Sequence, residues 1–488
     1  MQKQKIKRNY LFALIYQISL IIIPLLVTPY VARILGADGL GKYSFAYTLI
    51  SYFVVVLSLG FSYYGQREIA KYQNNIYQQS KVFYEVLFLR LIIIILELII
   101  NFILFFSGIY GKYSVLMLIL NLELVAAVFD ITFFFQGREE FAKVVSVNLI
   151  FKVLGVLCVF VFIKSSNDVY IYALLNSVFF VFGNLFLWFF LNKKIVKVKF
   201  RELNLFACLK KSMTLFIPIL ALNLYTLINK SLIGLITQSD YENGFYSQVE
   251  KLVFQLVILI KCLSTVMLPH NTSAVSCGKL EQVKINNYNA AHFIWLISLP
   301  LVGGIIFTAS NFVPWFLGID FNKSVLLFQV MAIVIVFIGI STVIGEQYLL
   351  PNKKDKCYIL SILAGVLVSL VVNIPLIIFF GGLGASITMV ITEFIIMFVM
   401  FCTVAKELSL KRIFKSMIKP LIATGVMCLA ICPLSIFLVP SILNTLILVG
   451  TGIVVYLLMI LLLRDSLVLS LFKSKHKAEF KSELESMK

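Results

Sequence analysis

Charged residues are scarce in this sequence. Asp, Glu, Lys and Arg together make up 13% of the 488 residues, whereas a soluble globular domain carries about 25%. Apolar residues make up 61%, and a chain of this composition has too little polar surface to cover a core of its own. The balance excludes a soluble protein and indicates that lipid solvates most of the chain.

Metal-binding and disulfide patterns are also missing. The eight cysteines have no metal-ligand spacing, and His270, His292 and His476 are isolated from one another. We therefore expect no metal site, no cofactor and no disulfide scaffold. The first apolar run is too long for a cleavable signal peptide and has no small-residue cleavage site after it. We expect it to remain as the first membrane helix.

Long apolar runs dominate what is present. A membrane helix needs about 20 mostly apolar residues, and fourteen segments meet this requirement. They are 10–34, 43–64, 86–107, 114–135, 146–163, 169–191, 213–237, 247–269, 288–310, 324–345, 357–380, 384–404, 420–439 and 442–463. The sequence therefore predicts an all-α polytopic membrane protein with fourteen transmembrane helices.

The distribution of basic residues supports this map. With the N-terminus inside, 32 of the 42 Lys and Arg residues lie in inside segments, and only Lys42, Lys112, Lys164 and Lys323 lie in outside segments. Cytoplasmic loops of membrane proteins carry such an excess of Lys and Arg. The net charge of +19 thus reports topology rather than nucleic-acid binding, and both termini are predicted to be cytoplasmic.

Two short motifs recur in corresponding places along the chain. Gly41-Lys42-Tyr43-Ser44 follows the first span and Gly244-Phe245-Tyr246-Ser247 follows the seventh, while Phe135–Glu139 and Leu350–Lys354 form a second pair. The repeats predict two six-helix bundles related by a pseudo-twofold axis along the membrane normal. The predicted divisions are an N-terminal bundle, a cytoplasmic linker, a C-terminal bundle, an extra helix pair and a cytoplasmic tail, at 1–191, 192–212, 213–404, 405–463 and 464–488.

The stretch 30–43, which reads YVARILGADGLGKY, resembles the first-hairpin motif of a transporter family. Similar motifs follow at Gly60–Ala70, Phe133–Gly137, Gly244–Leu252 and Val266–Pro269. Together they resemble the polysaccharide repeat-unit flippases (Wzx-type, for O-antigen or capsule) of the multidrug/oligosaccharidyl-lipid/polysaccharide exporter superfamily. The resemblance covers most of 1–410 in the right order.

Two positions depart from the family pattern. The family often has an Asp-Lys pair in the seventh span, where this chain has Asn229-Lys230. It also often has an arginine after the proline that ends the eighth span, where this chain has His270. Both differences are compatible with a different glycan or coupling scheme.

The resemblance implies a function. A protein of this family takes an undecaprenyl-diphosphate-linked oligosaccharide from the inner leaflet of the bacterial cytoplasmic membrane and presents it at the outer one. Two bundles would close alternately around a central cationic cavity. The expected partners are this lipid-linked oligosaccharide and membrane lipids, with a polysaccharide polymerase and assembly proteins as further candidates and no nucleic acid.

Ionisable residues inside the spans are the candidate site residues. A charge near the bilayer centre costs roughly 2.5–3.5 kcal/mol on insertion scales, so it must face a cavity or a partner. Five of the cations are predicted to line a cavity that binds the diphosphate and the sugars: Arg33, Arg90, Lys152, Lys230 and Lys251. Five acids are candidates for ion coupling: Glu97, Glu123, Asp130, Glu250 and Glu393.

Structural interpretations of the same residues stay open. Arg33 and Lys251 lie near span ends, where snorkelling to the interface explains them. Arg90 and Glu97 are seven residues apart on one helix face and could form a structural pair with a bridging water. The phenylalanines and tyrosines are interpreted mostly as lipid-facing bulk and interfacial belt.

Other functions remain as alternatives. Within the superfamily they are a peptidoglycan lipid II flippase, which also has fourteen spans, and a multidrug exporter, which usually needs acidic residues for cationic drugs. A membrane-embedded polysaccharide polymerase is an alternative from another class, although such enzymes usually have a large outside loop or acidic nucleotide-sugar motifs. A scaffold for glycan assembly would not explain charges inside the spans.

Overall fold

The structure is a computed structural model that describes the backbone of residues 2–192 and 194–469. Within these ranges side chains are described from residue 18 onwards, except at 215, 217–219, 221–225, 262–266, 269 and 270. The predicted tail beyond residue 469 and the His270 side chain therefore lie outside the described residues. Helices and turns make up the described chain, without a β-strand, and the predicted all-α fold is confirmed.

Sixteen α-helices form the framework. In chain order they are α1 Gln2–Ser58, α2 Phe61–Lys71, α3 Ile76–Phe106, α4 Ser114–Phe129, α5 Thr132–Gly137, α6 Phe141–Phe162, α7 Val169–Trp188, α8 Leu205–Thr237, α9 Asp240–Ser276, α10 Leu280–Phe316, α11 Ser324–Ala332, α12 Val334–Ile344, α13 Asp355–Phe380, α14 Gly382–Val404, α15 Leu410–Phe437 and α16 Ile442–Leu462. Helices suit apolar segments of this length because lipid offers no partner to the backbone, so its polar groups must pair within each segment.

Helix α1 contains a break that separates the first two predicted spans. Gly36 has φ 67° and ψ −179°, a conformation that glycine adopts readily because it has no Cβ. The residues directly before and after Gly36 are helical. The predicted spans 10–34 and 43–64 therefore lie on opposite sides of the break.

Eleven helical stretches of the described chain are long and apolar enough to cross a membrane. One of them, Ile18–Lys71, holds the first two predicted spans. The seventh and eighth predicted spans fall in α8 and α9, which are 33 and 37 residues long but include side chains outside the described set. The chain is thus a multi-pass membrane protein, and the count of fourteen spans stays a prediction.

The contacts of the chain divide it into two compact units, 1–247 and 248–488. In the first unit, α1 packs against α4, α6 and α8, and α4 packs against α7. An aromatic core surrounds α2 and α5, where Phe61, Phe83, Phe133 and Phe134 are buried. The predicted division into bundles at 1–191 and 213–404 stays a prediction.

In the second unit, the last two described helices pack against α10. The Trp295 indole donates a hydrogen bond to the Ile413 carbonyl, and the Tyr456 hydroxyl donates one to the Leu296 carbonyl. Separately, α13 and α14 form a close hairpin, where a Cβ on Gly384 would lie 2.0 Å from the Leu376 carbonyl oxygen. A turn of π-helix, Gly345–Leu349, follows α12.

The two glycine motifs of the predicted repeat contact each other. A Cβ on Gly41 would lie 1.7 Å from the Asp240 carbonyl oxygen, and a Cβ on Gly244 would lie 2.0 Å from the Ala37 carbonyl oxygen. Each glycine therefore meets the residue four positions before the other glycine. The backbones of α1 and α9 touch at this crossing, and only residues without a side chain allow it.

Candidate functional site

Arg90, a predicted substrate-binding cation, is buried where α2, α3, α4 and α5 meet. Only 3% of the residue is exposed. Its Nη1 donates to the Asp130 carbonyl oxygen at the end of α4, and its Nη2 donates to the Ser62 hydroxyl at 2.8 Å. The guanidinium also lies 5.4 Å from the centre of the Phe133 ring. A cation here satisfies a helix-end carbonyl and suits the negative end of the helix dipole.

Glu97 makes no direct ion pair with Arg90 among the described residues, and the water-bridged pair considered above stays a prediction. The residue is 4% exposed, and neither carboxyl oxygen has a hydrogen-bond partner among the described residues. Its neighbour Asn101 donates to the Glu97 backbone carbonyl and accepts from the Tyr110 hydroxyl at 2.7 Å. A buried carboxyl group without a partner is costly and calls for a reason.

Lys152 lies within the membrane-spanning stretch Phe141–Phe162. The side chain is half-buried, and it makes no hydrogen bond or ion pair with a residue that the structure describes. Its ammonium group is therefore left to water or to a ligand. This is the opposite of Arg90, whose charge is held by protein groups.

The remaining predicted cations have mixed surroundings. Arg33 is exposed, and Lys230 and Lys251 are half-buried; all three interact with protein groups. The Lys230 carbonyl accepts a hydrogen bond from Asn243, and the neighbouring Asn229 donates one to the Tyr246 hydroxyl at 2.8 Å. The repeat motif around Tyr246 thus fixes the backbone of α8 where Lys230 lies.

Three of the other predicted acids are buried, and the fourth accepts a backbone hydrogen bond. Glu123 is 7% exposed and accepts a hydrogen bond from the Ser177 hydroxyl at 2.9 Å. Glu250 and Glu393 are also buried and interact with protein groups. The Asp130 carboxylate accepts a hydrogen bond at 2.9 Å from the amide of Thr132, the first residue of α5.

Two groups of polar residues were missed in the sequence. Glu346, the residue after the predicted span 324–345, lies in the π-helical turn and interacts electrostatically with Lys261 and with Tyr358. Tyr358 interacts with Glu393 as well. A π-helical turn inside an α-helix often marks a functional site, but no sequence pattern identifies such a turn.

The second missed group lies in predicted outside segments. The Lys112 ammonium and the Tyr113 hydroxyl both donate to the Asp240 carboxylate, and Asp240 is buried at the first turn of α9. An acid suits this end of a helix because of the helix dipole. Lys112 and Asp240 are 128 positions apart in the sequence, so the sequence alone did not reveal the contact.

Tyr43 and Tyr47 of α1 form an aromatic cluster with α7. The Tyr43 ring stacks on Tyr47, with centroids 5.7 Å apart, and contacts Tyr172 of α7 edge-on at 5.0 Å. Both Tyr43 and Tyr47 interact electrostatically with Glu123. Their spacing of four residues places them on one helix face, which is the signal that could have singled them out.

Three cations surround one acid, Glu140, which lies between α5 and α6. Arg138, Lys143 and Lys194 all form ion pairs with Glu140. Burial acts to raise the pKa of Glu140, but the hydrogen bonds from Lys143 and Lys194 outweigh it and lower the pKa to about 2. The cluster attaches the predicted linker at Lys194 to the end of α5.

Comparison with known proteins agrees with the motifs described above. Residues 6–275, more than half of the chain, match the family model described as "Polysaccharide biosynthesis protein". Two curated proteins are named "Putative O-antigen transporter". The one from Shigella dysenteriae is 24% identical over 81% of this chain and 98% of its own length, and the one from Escherichia coli K12 is 23% identical over 80% and 94%.

Among solved structures, the lipid II flippase MurJ in its inward closed conformation has a similar fold. The TM-score is 0.74 with 15% sequence identity, and the match covers 93% of this chain and 99% of that one. At this identity the likeness concerns the fold alone. The family model and the two curated relatives confirm the predicted resemblance to a polysaccharide-related family.

Proposed function

Because the chain belongs to the polysaccharide biosynthesis protein family, we propose that it is a flippase for lipid-linked glycans. It moves undecaprenyl-diphosphate-linked oligosaccharide repeat units across the bacterial cytoplasmic membrane for the synthesis of cell-surface polysaccharide. The chain is a membrane transporter rather than an enzyme, as its curated relatives are. This disfavours the polymerase alternative.

The unpaired ammonium group of Lys152 carries the proposal. A charge inside a membrane span persists where water or a counter-ion meets it, and Lys152 has no such partner among the described residues. The diphosphate of a lipid carrier is a strong anion that Lys can bind as a point charge. A transporter of cationic drugs has no need of a free cation at this position.

We assign different roles to the other candidate residues. Lys230 joins Lys152 in binding the diphosphate, and Arg33 and Lys251 receive the head group nearer the membrane surfaces. Arg90 acts as a positioning residue, because protein groups hold its guanidinium. Glu97 is the first candidate for ion coupling, because neither carboxyl oxygen accepts a hydrogen bond from a described residue. Glu123, Glu250 and Glu393 are further candidates.

The proposed mechanism is alternating access, with the hydrophilic head crossing through a cationic cavity while the prenyl tail stays in lipid. Both termini lie in the cytoplasm, which reporter fusions at the two ends can test. The lipid II flippase alternative shares the fold and differs in the head group. Deletion of the gene distinguishes the two, because loss of lipid II transport stops cell-wall synthesis whereas loss of a surface glycan need not.

Substitution of Lys152 tests the proposal directly. In cells that lack the chromosomal gene, Lys152→Ala should lower surface polysaccharide about tenfold or more and make lipid-linked oligosaccharide accumulate. Lys152→Arg should restore part of the export, because the diphosphate mainly needs positive charge. Membrane abundance is measured in the same cells to separate loss of function from loss of protein.

The control is Lys279→Ala, which removes an exposed lysine before α10 and should leave export unchanged. Normal export by Lys152→Ala at normal abundance would contradict the proposed role of Lys152. A cell-wall defect with accumulated lipid II in the deletion strain would instead support the lipid II alternative.

A further inference from the structure

Tyr43 and Tyr47 border a space between helices. They lie on α1, which packs against α4, α6, α7 and α8, and Tyr43 contacts Tyr172 of α7. Nevertheless, 41% of Tyr47 is accessible. An accessible ring on a helix that other helices surround borders an internal space rather than the packed core.

The hydroxyl groups of this cluster point to the same conclusion. Buried tyrosines normally find a hydrogen-bond partner for the hydroxyl, as Tyr246 does with Asn229 at 2.8 Å. The hydroxyls of Tyr43 and Tyr47 have no such partner among the residues that the structure describes. They are therefore available to a ligand or to water in the internal space.

The rings themselves are held in place. Tyr43 is fixed between Tyr47, whose ring is inclined by 26° to it, and Tyr172, which meets it at 70°. Glu123 interacts electrostatically with Tyr43 and Tyr47 and is itself oriented by Ser177. A ring supported in this way can offer a flat face at little entropic cost, which is what a binding surface needs.

We propose that Tyr43 and Tyr47 form a sugar-binding surface for the glycan of the lipid-linked substrate. One face of a pyranose ring carries C–H groups and packs on an aromatic face, while its hydroxyl groups need hydrogen-bond partners. The accessible Tyr47 ring and the two phenol hydroxyls supply both. The inference rests on the proposed function and adds a subsite for sugars to the cationic groups that bind the diphosphate.

An organic cation is the competing occupant of an aromatic cluster beside an acid. The exposure of the groups favours the sugar. Glu123 is only 7% exposed and its carboxylate already accepts a hydrogen bond, so it offers little charge to a ligand. The accessible groups are neutral rings and hydroxyls, which suit an uncharged sugar.

Binding by the purified full-length protein in lipid nanodiscs tests the surface. The first probe is undecaprenyl-diphosphate-linked oligosaccharide extracted from cells that lack the gene, and the second is undecaprenyl diphosphate without a glycan. Tyr47→Leu removes the aromatic face at similar volume and should weaken binding of the first probe about tenfold, with little effect on the second. Tyr47→Phe keeps the face and should lose less.

The matched control is Tyr63→Leu, which changes a tyrosine that is 62% exposed in α2 and should bind both probes like the wild type. Thermal unfolding of each variant shows that the protein is intact.

A wild type that binds neither probe would overturn the proposed function itself. A Tyr47→Leu variant that binds the oligosaccharide probe like the wild type, or loses both probes equally, would overturn the sugar-binding surface alone. Wild-type binding of tetraphenylphosphonium that Tyr47→Leu abolishes would assign the cluster to organic cations.

Discussion

Two regions of the first unit treat polar groups inside the membrane in opposite ways. Around Arg90 the space is filled by buried phenylalanines, and the guanidinium donates to Asp130 and Ser62. Around Tyr47 the ring is accessible, and its hydroxyl has no partner among the described residues. The ammonium group of the half-buried Lys152 on α6 likewise has no described partner. The intrinsic cost of a polar group is similar in both regions, so the difference lies in what satisfies it. The first region is built by the protein alone, and the second needs something else.

Arg90→Ala should break the closed region and have the largest effect. The change leaves the Asp130 carbonyl and the Ser62 hydroxyl without their donor and empties the space beside Phe133. Hydrogen bonds to charged groups contribute about 1.5–3 kcal/mol each, so we expect a loss of about 3 kcal/mol or more. Membrane abundance and the thermal unfolding temperature should both fall.

Lys152→Ala provides the contrast, because it should lower export while leaving abundance and unfolding temperature nearly unchanged. The comparison fails if the two variants lose stability equally. It also fails if Arg90→Ala is abundant and stable but inactive, since Arg90 would then act on the substrate rather than on the fold.

Gly41→Ala should have the next largest effect, because it tests how closely α1 and α9 must approach. The new Cβ would lie 1.7 Å from the Asp240 carbonyl oxygen, so the crossing has to open. Overpacking of this kind costs about 1–3 kcal/mol. We expect a lower unfolding temperature, and a double variant with Gly244→Ala that costs less than the sum, because both changes open the same crossing.

Gly304→Ala is the matched control for this prediction. Gly304 lies inside α10 and a Cβ there would meet nothing within 4 Å. Alanine is the better helix former by about 0.8–1.0 kcal/mol, so this variant should be as stable as the wild type or more stable. Equal unfolding temperatures for Gly41→Ala and Gly304→Ala would show that the crossing of α1 and α9 can accommodate a Cβ.

The sequence predicted the fold class and the positions of most helices, because apolar runs and basic loops are local signals. It also singled out the motifs at Gly41 and Gly244, although it did not predict that they touch. The sequence did not predict the environments of individual charges. Arg90 and Lys152 look alike in the sequence, and only the distant residues Ser62 and Asp130 distinguish them. The contacts of Tyr43 with Tyr47 and Tyr172 were equally invisible, because composition does not tell which rings meet.

Glu140 gives the smallest predicted effect and tests the electrostatics at the edge of the closed region. The pKa of this carboxylate is lowered to about 2, whereas glutamate in an unfolded chain has a pKa of about 4.3. A group whose pKa is depressed on folding stabilises the folded state above the unfolded pKa, and the contribution is lost as the pH falls towards the folded value. Glu140→Gln should therefore lower the unfolding temperature by about 2 °C at pH 7. The difference from the wild type should shrink steadily below about pH 4.3.

The control is Glu281→Gln, which removes a pair with Lys284 at the same spacing of three residues but with an 81% exposed acid. Exposed pairs contribute little, so this variant should have the same unfolding temperature as the wild type at pH 7 and at pH 3. A difference for Glu140→Gln that stays constant down to pH 3 would mean that the side chain contributes through packing rather than charge.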